Sequence, residues 1–200
     1  AGTGLPSAGT TLDAADRDEL LDTAAASLRT LTELLTDLLD VSRVQAGALA
    51  VTMESVDIED LIPDASEEIG AGPELIDVEI PLHAPRVRAD RVLLTRVIVN
   101  LLSNALRHNP PHSRVVIALS EFGDHAQIRI IDQGPGIPAE RREDVFVPFQ
   151  RLGDTDNTTG LGLGLALSKG FVEGMGGTLE FEETPGGGTT MVVTLDIERE

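Results

Sequence analysis

The chain has 200 residues, a formal charge of −19, no cysteine, and a 41% apolar content of which almost none is aromatic (2% of the chain). That allows one domain of ordinary size plus an appendage around an aliphatic core. It excludes a disulfide framework and any cysteine nucleophile or metal centre, and the acidic surface argues against nucleic acid as a partner. No apolar run reaches the ~18 residues of a membrane span and no signal peptide is recognisable, so the piece is expected to be soluble.

Residues 1–12 are small, polar and aperiodic, and read as a mobile lead-in. Residues 13–47 read as one long helix. Leu21, Ala24, Leu28, Leu31, Leu35 and Leu38 recur at steps of three and four, Leu20, Leu34 and Leu39 widen the stripe, and Gly47 fits the position just past the helix end. A single helix cannot bury its own stripe, so it packs on another helix, of this chain or a second one, or on its own domain. From residue 48 to 200 the pattern turns mixed. Leu49, Val51 and Met53 alternate with polar or small residues as in a half-buried strand. Asp57 is placed to cap a helix through about Ile69, with Pro63 shifting or kinking its start. Val78 to Leu82 and Arg86 to Arg88 read as short strands, and a long helix runs from Asp90 to His108. Val115 to Ser120 and Gln127 to Ile131 form a hairpin across Phe122-Gly123-Asp124. A short helix is expected over Ala139 to Glu143, a longer one over Leu161 to Met175, and a last hairpin pairs Thr178 to Phe181 with Thr189 to Ile197. The sum is an α+β two-layer sandwich, with helices on one face of a mixed sheet.

On the long central helix, Asn100, Asn104 and His108 lie four residues apart beside an apolar face. Asparagine competes for backbone hydrogen bonds and is a mediocre helix former. Such a stripe faces a ligand or ion, or is solvated surface. Asp132 ends a strand and opens a tight glycine turn, which aims its carboxylate into a cleft or bonds it to the N–H of its own turn. Gly160, Gly162 and Gly164 lead into a helix whose open N–H groups suit phosphate, or serve as a hinge. The order of residues there is not that of a P-loop. The G-x-G-x-x-A match at Gly134 to Ala139 lacks the second strand and distant acid of a dinucleotide fold.

Taken together, Asn100 to His108, Asp132-Gln-Gly134-Pro-Gly136-Ile137, Phe146-Val-Pro-Phe149, Gly160 to Lys169 and Gly186-Gly-Gly188-Thr189 resemble, in order, the boxes of the ATP-binding catalytic domain of sensor histidine kinases. The resemblance covers roughly residues 13 to 197. It implies the histidine-kinase ATPase-type sandwich, with ATP and Mg²⁺ as ligands, and a protein-histidine kinase activity. Asp132 would read the adenine, and as a hydrogen-bond acceptor it suits the exocyclic amine of adenine and opposes the carbonyl of guanine. Gly134, Gly136 and Ile137 would line the base, with Thr189 holding a water beside it and Thr190 as the alternative. Asn104 would ligate Mg²⁺ and Asn100 support it through water. Arg107 or His108 would face the phosphates. Gly160, Gly162, Gly164 and Leu165 would cradle them, and residues 150–160 would form a lid anchored by Phe146 and Phe149, with Arg151 reaching the γ-phosphate.

The segment Asp37 to Gly47 looks like the end of the second helix of the family's dimerising hairpin. The phosphate-accepting histidine of the first helix is absent, since His83, His108, His112 and His125 all lack its motif context. ATP-hydrolysing relatives of the fold place a glutamate at the position of Asn100 as general base, and an amide cannot take that proton. The resemblance further implies a homodimeric parent and a response regulator as partner. The 148–170 stretch also looks like actinobacterial Kdp-type potassium-responsive sensor kinases, which implies a membrane-anchored parent with this portion in the cytoplasm.

Overall fold

The computed structural model describes residues 14–142, 144–150 and 161–199. Two units are distinguished, one ending at Thr36 and the other running from Asp37 to Glu200. The first consists of the leading part of α1 (Ala14–Gln45). Its leucines at 20, 21, 28, 31 and 35 are all exposed. Thr23, Ser27, Thr30, Thr32 and Thr36 return their hydroxyls to carbonyls one turn back, which keeps these polar side chains satisfied on the helix itself.

The second unit contains the end of α1 and all remaining elements. These are β1 (Glu54–Val56), α2 (Leu61–Glu68), β2 (Ile76–Glu79), β3 (Val87–Ala89), α3 (Arg91–His108), β4 (Val115–Phe122), β5 (His125–Ile131), α4 (Gly164–Gly174), β6 (Thr178–Glu183) and β7 (Thr189–Asp196), with two 3₁₀ turns at Ala139–Arg141 and Asp144–Phe146. Five strands form one sheet in the order β2-β4-β5-β7-β6, and β1 pairs with β3 separately. Only β2 and β4 are parallel; β4-β5, β5-β7 and β6-β7 are antiparallel, so the sheet is mixed as expected. The inner faces of β4 and β5 alternate strictly. Val115, Ile117 and Leu119 are buried, as are Ala126, Ile128 and Ile130 on the neighbouring strand. Against them pack Leu94, Val97, Ile98, Leu101 and Leu102 of α3 and Leu167, Phe171 and Val172 of α4, an aliphatic layer with one fully buried aromatic ring.

Several boundaries differ from the sequence reading. Leu49 to Met53 do alternate in burial, but among the described residues no strand pairs with them. Thr52 N donates to Asp90 Oδ2 (2.8 Å) instead, and ladder pairing starts only at Glu54 opposite Ala89. Asp57 caps a turn through Glu59 N (3.1 Å) rather than a helix. α2 begins at Leu61, which puts Pro63 in the first turn, where its missing N–H costs nothing. β2 lies earlier than Val78 to Leu82. Arg114 draws it into parallel register through Asp77 (2.7 Å) and the carbonyls of Pro73 and Ile76, leaving Leu82 94% exposed. The short helix expected at residue 139 is a pair of 3₁₀ turns, and α4 starts at Gly164 because Gly162 has φ +70°. Among the described residues, no helix is long and apolar enough to cross a membrane.

Candidate functional site

The site is built along one stripe of α3. Asp90 starts that helix as its N-cap, with Oδ1 accepting from Val92 N (3.0 Å) and Leu93 N (3.1 Å). Asn100, Asn104 and His108 then follow at successive turns. Asn100 is half-buried and points its Nδ2 at Gly164 O, at a long 3.5 Å. Gly164 carries no side chain at a point where a Cβ would stand 3.6 Å from Asn100 Cγ, so α4 begins hard against this amide. Asn104 is half-buried, and its amide makes no hydrogen bond among the described residues. Arg107 and His108 are exposed at the end of the helix. The carbonyl oxygen of His108 touches the Asp132 turn, 2.7 Å from where a Cβ on Gly134 would sit. The stripe therefore joins α4 at one end and the glycine turn at the other, with Asn104 between them.

Asp132 is 4% exposed. Its Oδ1 accepts from Gly134 N (2.8 Å) and Thr189 N (3.0 Å), while its own N–H donates to Thr189 O (2.9 Å). The bond to the N–H of its own turn is made, and it occupies Oδ1. Thr189 N shares that oxygen, and no donor among the described residues reaches Oδ2. The glycines around it are required by space. A Cβ on Gly188 (φ +109°) would fall 2.0 Å from Asp132 O, and one on Gly136 (φ +73°) would fall 3.1 Å from Gly188 O. Ile137 packs partly buried against the core. Thr189 and Thr190 are both buried, but the Thr190 hydroxyl is paired with Thr184 (2.9 Å), and it is Thr189 whose backbone is tied to Asp132.

Opposite Asn100, α4 opens without a side-chain cap at Leu163, and the first backbone bond into it is Leu167 N to Leu163 O (2.9 Å). The N–H groups of Gly164, Leu165 and Ala166 thus point outward at the positive end of the helix dipole, an arrangement suited to anions. Gly162 lies against Gln150 O, and Phe149 N donates to Gly162 O (3.1 Å). Phe149 has φ +66° and is 57% exposed, an unusual conformation for a bulky side chain, whereas Phe146 is half-buried with Lys169 Nζ 4.9 Å above its ring. Arg151, Gly160 and most of the expected lid lie outside the described residues.

Two features escaped the sequence reading. Arg96, one turn before Asn100, binds Asp40 (2.5 Å) and Asp37 (3.1 Å) and lies 5.0 Å from the Phe171 ring centroid, so it holds residues 37–45 of α1 against α3 and α4. Its position on the Asn100 stripe was the only local signal. Asn109, the C-cap of α3, accepts at Oδ1 from Gln133 N (2.8 Å). An asparagine directly before Pro110 is the signal for a helix end, with nothing to name its distant partner. A groove of about 400 Å³ lies beside α4, lined among others by Val41, Val44, Phe146, Pro148 and Gly170. None of its lining residues belongs to the Asn100, Asp132 and Thr189 set.

Comparison with known proteins agrees with this geometry. Residues 89–199 match the model of the histidine kinase-, DNA gyrase B- and HSP90-like ATPase family. The chain is similar to the sensor protein KdpD of Rathayibacter rathayi, 62% identical over 167 residues, which is 84% of this chain and 19% of that protein. It thus spans about a fifth of that relative's length. Among solved structures, the mycobacterial sensor histidine kinase MprB matches with a TM-score of 0.64 and 32% identity over 74% of this chain and 100% of that one. Full-length ShkA in complex with AMPPNP matches with a TM-score of 0.75 and 25% identity over 96% of this chain and 41% of that one. The fold, the ordered glycine turns and these likenesses agree: the chain belongs to the histidine kinase-, DNA gyrase B- and HSP90-like ATPase family, among its sensor histidine kinases.

Proposed function

We propose that residues 48–200 bind ATP and deliver its γ-phosphoryl group to a histidine on a helix hairpin of the parent kinase, whose trailing arm is residues 13–47. The observation that carries this reading is the polar stripe of α3. It faces the Asp132 turn and the open end of α4 and bears an amide, Asn100, where water activation would need a base. The free Oδ2 of Asp132 accepts from the exocyclic amine of adenine, and the same oxygen would repel the guanine carbonyl. The half-buried amide of Asn104, unbonded among the described residues, offers a neutral oxygen of the kind Mg²⁺ takes alongside water and phosphate oxygens, with Asn100 supporting it from the previous turn. Bound there, Mg²⁺ supplies neutralisation of phosphate charge. The N–H groups of Gly164 and Leu165, after the bend at Gly162, hold the phosphates at the start of α4. Arg107 or His108 meets them from α3, and Arg151 and Gly160 belong to the lid. Catalysis in this scheme is positioning and charge stabilisation. The bond from phosphorus to the ADP oxygen breaks as the bond to the histidine nitrogen forms, with ADP leaving with the electron pair.

The exposed leucines of α1 suit burial in a four-helix dimer interface, so the parent acts as a homodimer and passes the phosphoryl group to a response regulator. The likeness to the KdpD protein supports a Kdp-type sensor, membrane-anchored, with this portion on the cytoplasmic side. The test is calorimetric titration with ATP and GTP, with and without Mg²⁺, together with phosphate release and transfer to a supplied histidine-bearing hairpin. Selective ATP binding, negligible phosphate release and transfer to the hairpin are expected. Asn104→Ala should remove the Mg²⁺-dependent part of the affinity. Steady hydrolysis with no transfer would overturn the kinase reading.

A further inference from the structure

The turn that presents Asp132 has three consecutive backbone donors, and each has a different partner. Asp132 N donates to Thr189 O across the sheet, and Gly134 N donates back to Asp132 Oδ1. Gln133 N, between them, donates to Asn109 Oδ1 at 2.8 Å. That bond is the side-chain link between the turn and the end of α3, where His108 O already presses on Gly134. The orientation of the Asn109 amide is fixed by this partner, because a flipped amide would set two donors against each other. Asn109 itself is held at both ends, by its own N–H on Ala105 O (2.9 Å) and by Pro110 behind it.

What sets this residue apart is its other atom. Asn109 Nδ2 is buried and has no hydrogen-bond partner among the described residues. Burying a donor unpaired is costly, while the bond that Oδ1 makes is to an N–H at an exposed residue that water could serve instead. As a stability device Asn109 is a poor choice. Its effect is geometric: it holds Gln133, and so the two flanking residues, in one position relative to the α3 stripe.

We propose that Asn109 is a positioning residue for base recognition, which fixes the Asp132 carboxylate at the distance from Asn104 that lets one nucleotide reach both. The inference rests on the reading of Asp132 as the adenine acceptor. It concerns a residue that does not touch the nucleotide. Without the Asn109 bond the turn keeps its internal hydrogen bonds and its contact with His108 O but loses its hydrogen bond to the helix end, so the base contact loosens while the fold persists.

The test compares the whole chain with its Asn109→Ala and Asp132→Asn variants, titrating each with Mg²⁺-ATP and Mg²⁺-GTP and recording a thermal melt. Asn109→Ala should bind ATP roughly 5- to 10-fold more weakly, the loss expected of one hydrogen bond. Its ATP-over-GTP ratio should shrink with little change or a rise in melting temperature. A fall in melting temperature with unchanged affinity and selectivity in the folded protein would make Asn109 a structural cap and overturn the proposal. Unchanged values throughout would overturn it as well. If the wild-type chain fails to prefer ATP, or Asp132→Asn leaves that preference intact, the adenine reading itself falls and this proposal with it. A failure of Asn109 alone leaves that reading standing.

Discussion

Replacing Arg96 tests the packing that holds the end of α1 in the second unit. Asp40 is 5% exposed, and it is met by Arg96 Nη1 at 2.5 Å and by Arg43 at 3.1 Å; Arg96 reaches Asp37 as well and stacks over Phe171. Removing one partner of a buried ion pair costs ~3–5 kcal/mol, because the other charge stays buried. Here Arg43 continues to face Asp40, but its side chain is 60% exposed and screened by solvent, which places Arg96→Met near the lower end, about 3 kcal/mol. At ~2–4 °C per kcal/mol for a domain of this size, the melting temperature should fall by roughly 6–12 °C. The double variant Arg96→Met, Asp40→Leu removes the stranded carboxylate together with its partner. It should recover most of the loss, since apolar replacements of buried pairs are commonly neutral or better. Thermal melts followed by circular dichroism at 222 nm suit a chain without tryptophan or tyrosine. An Arg96→Met cost under about 1 kcal/mol, or a double variant worse than the sum of the singles, would refute the view that this pair acts as a buried one.

Gly188→Ala should cost roughly 2–4 kcal/mol and abolish nucleotide binding, because the new Cβ meets Asp132 O at 2.0 Å with φ at +109°; a melt and a titration check both. Asp132→Asn should fold. Its amide oxygen must face the N–H groups of Gly134 and Thr189, which turns Nδ2 outward and replaces the accepting group with a donor. ATP affinity should fall about 10- to 100-fold and the preference over GTP collapse or invert, measured by competition titration. Asn100→Glu puts a carboxylate beside the first turn of α4 and should raise phosphate release from bound ATP; retained binding with unchanged release would mean that the amide is not what withholds water.

The sequence told most where local chemistry and tertiary structure agree. Helix α3 starts after Asp90 as expected because the same side chain caps the helix and anchors Thr52, so two demands converge on one residue. The β4-β5 hairpin is equally plain, since Gly123 (φ +64°) takes the left-handed turn position that alternation on both sides leads to. Leu49 to Met53 show the opposite case. Their alternation correctly gives the buried side, but a strand also needs a neighbour, and that depends on residues far along the chain. β2 shifts because Arg114 chooses its register from 37 residues away at Asp77, and periodicity carries no record of such a bond. In the candidate site, the glycine turns and the α3 stripe were legible as motifs with fixed spacing. The bond from Thr189 N to Asp132 Oδ1 was not, because it depends on where β7 brings that N–H. Arg96 and Asn109 were missed for the same reason, each acting through partners across the fold.

Arg96 and Asn100 project from one face of a single helix, a turn apart, and both touch α4: the first through Phe171, the second through Gly164. The end of α1 is fastened to the first of these residues, and the open turn of α4 lies at the second. If an anion bound at Gly164 changes how firmly Asp37 and Asp40 are held, the same coupling free energy acts in the other direction, so a change in either fastening can be used to measure the other.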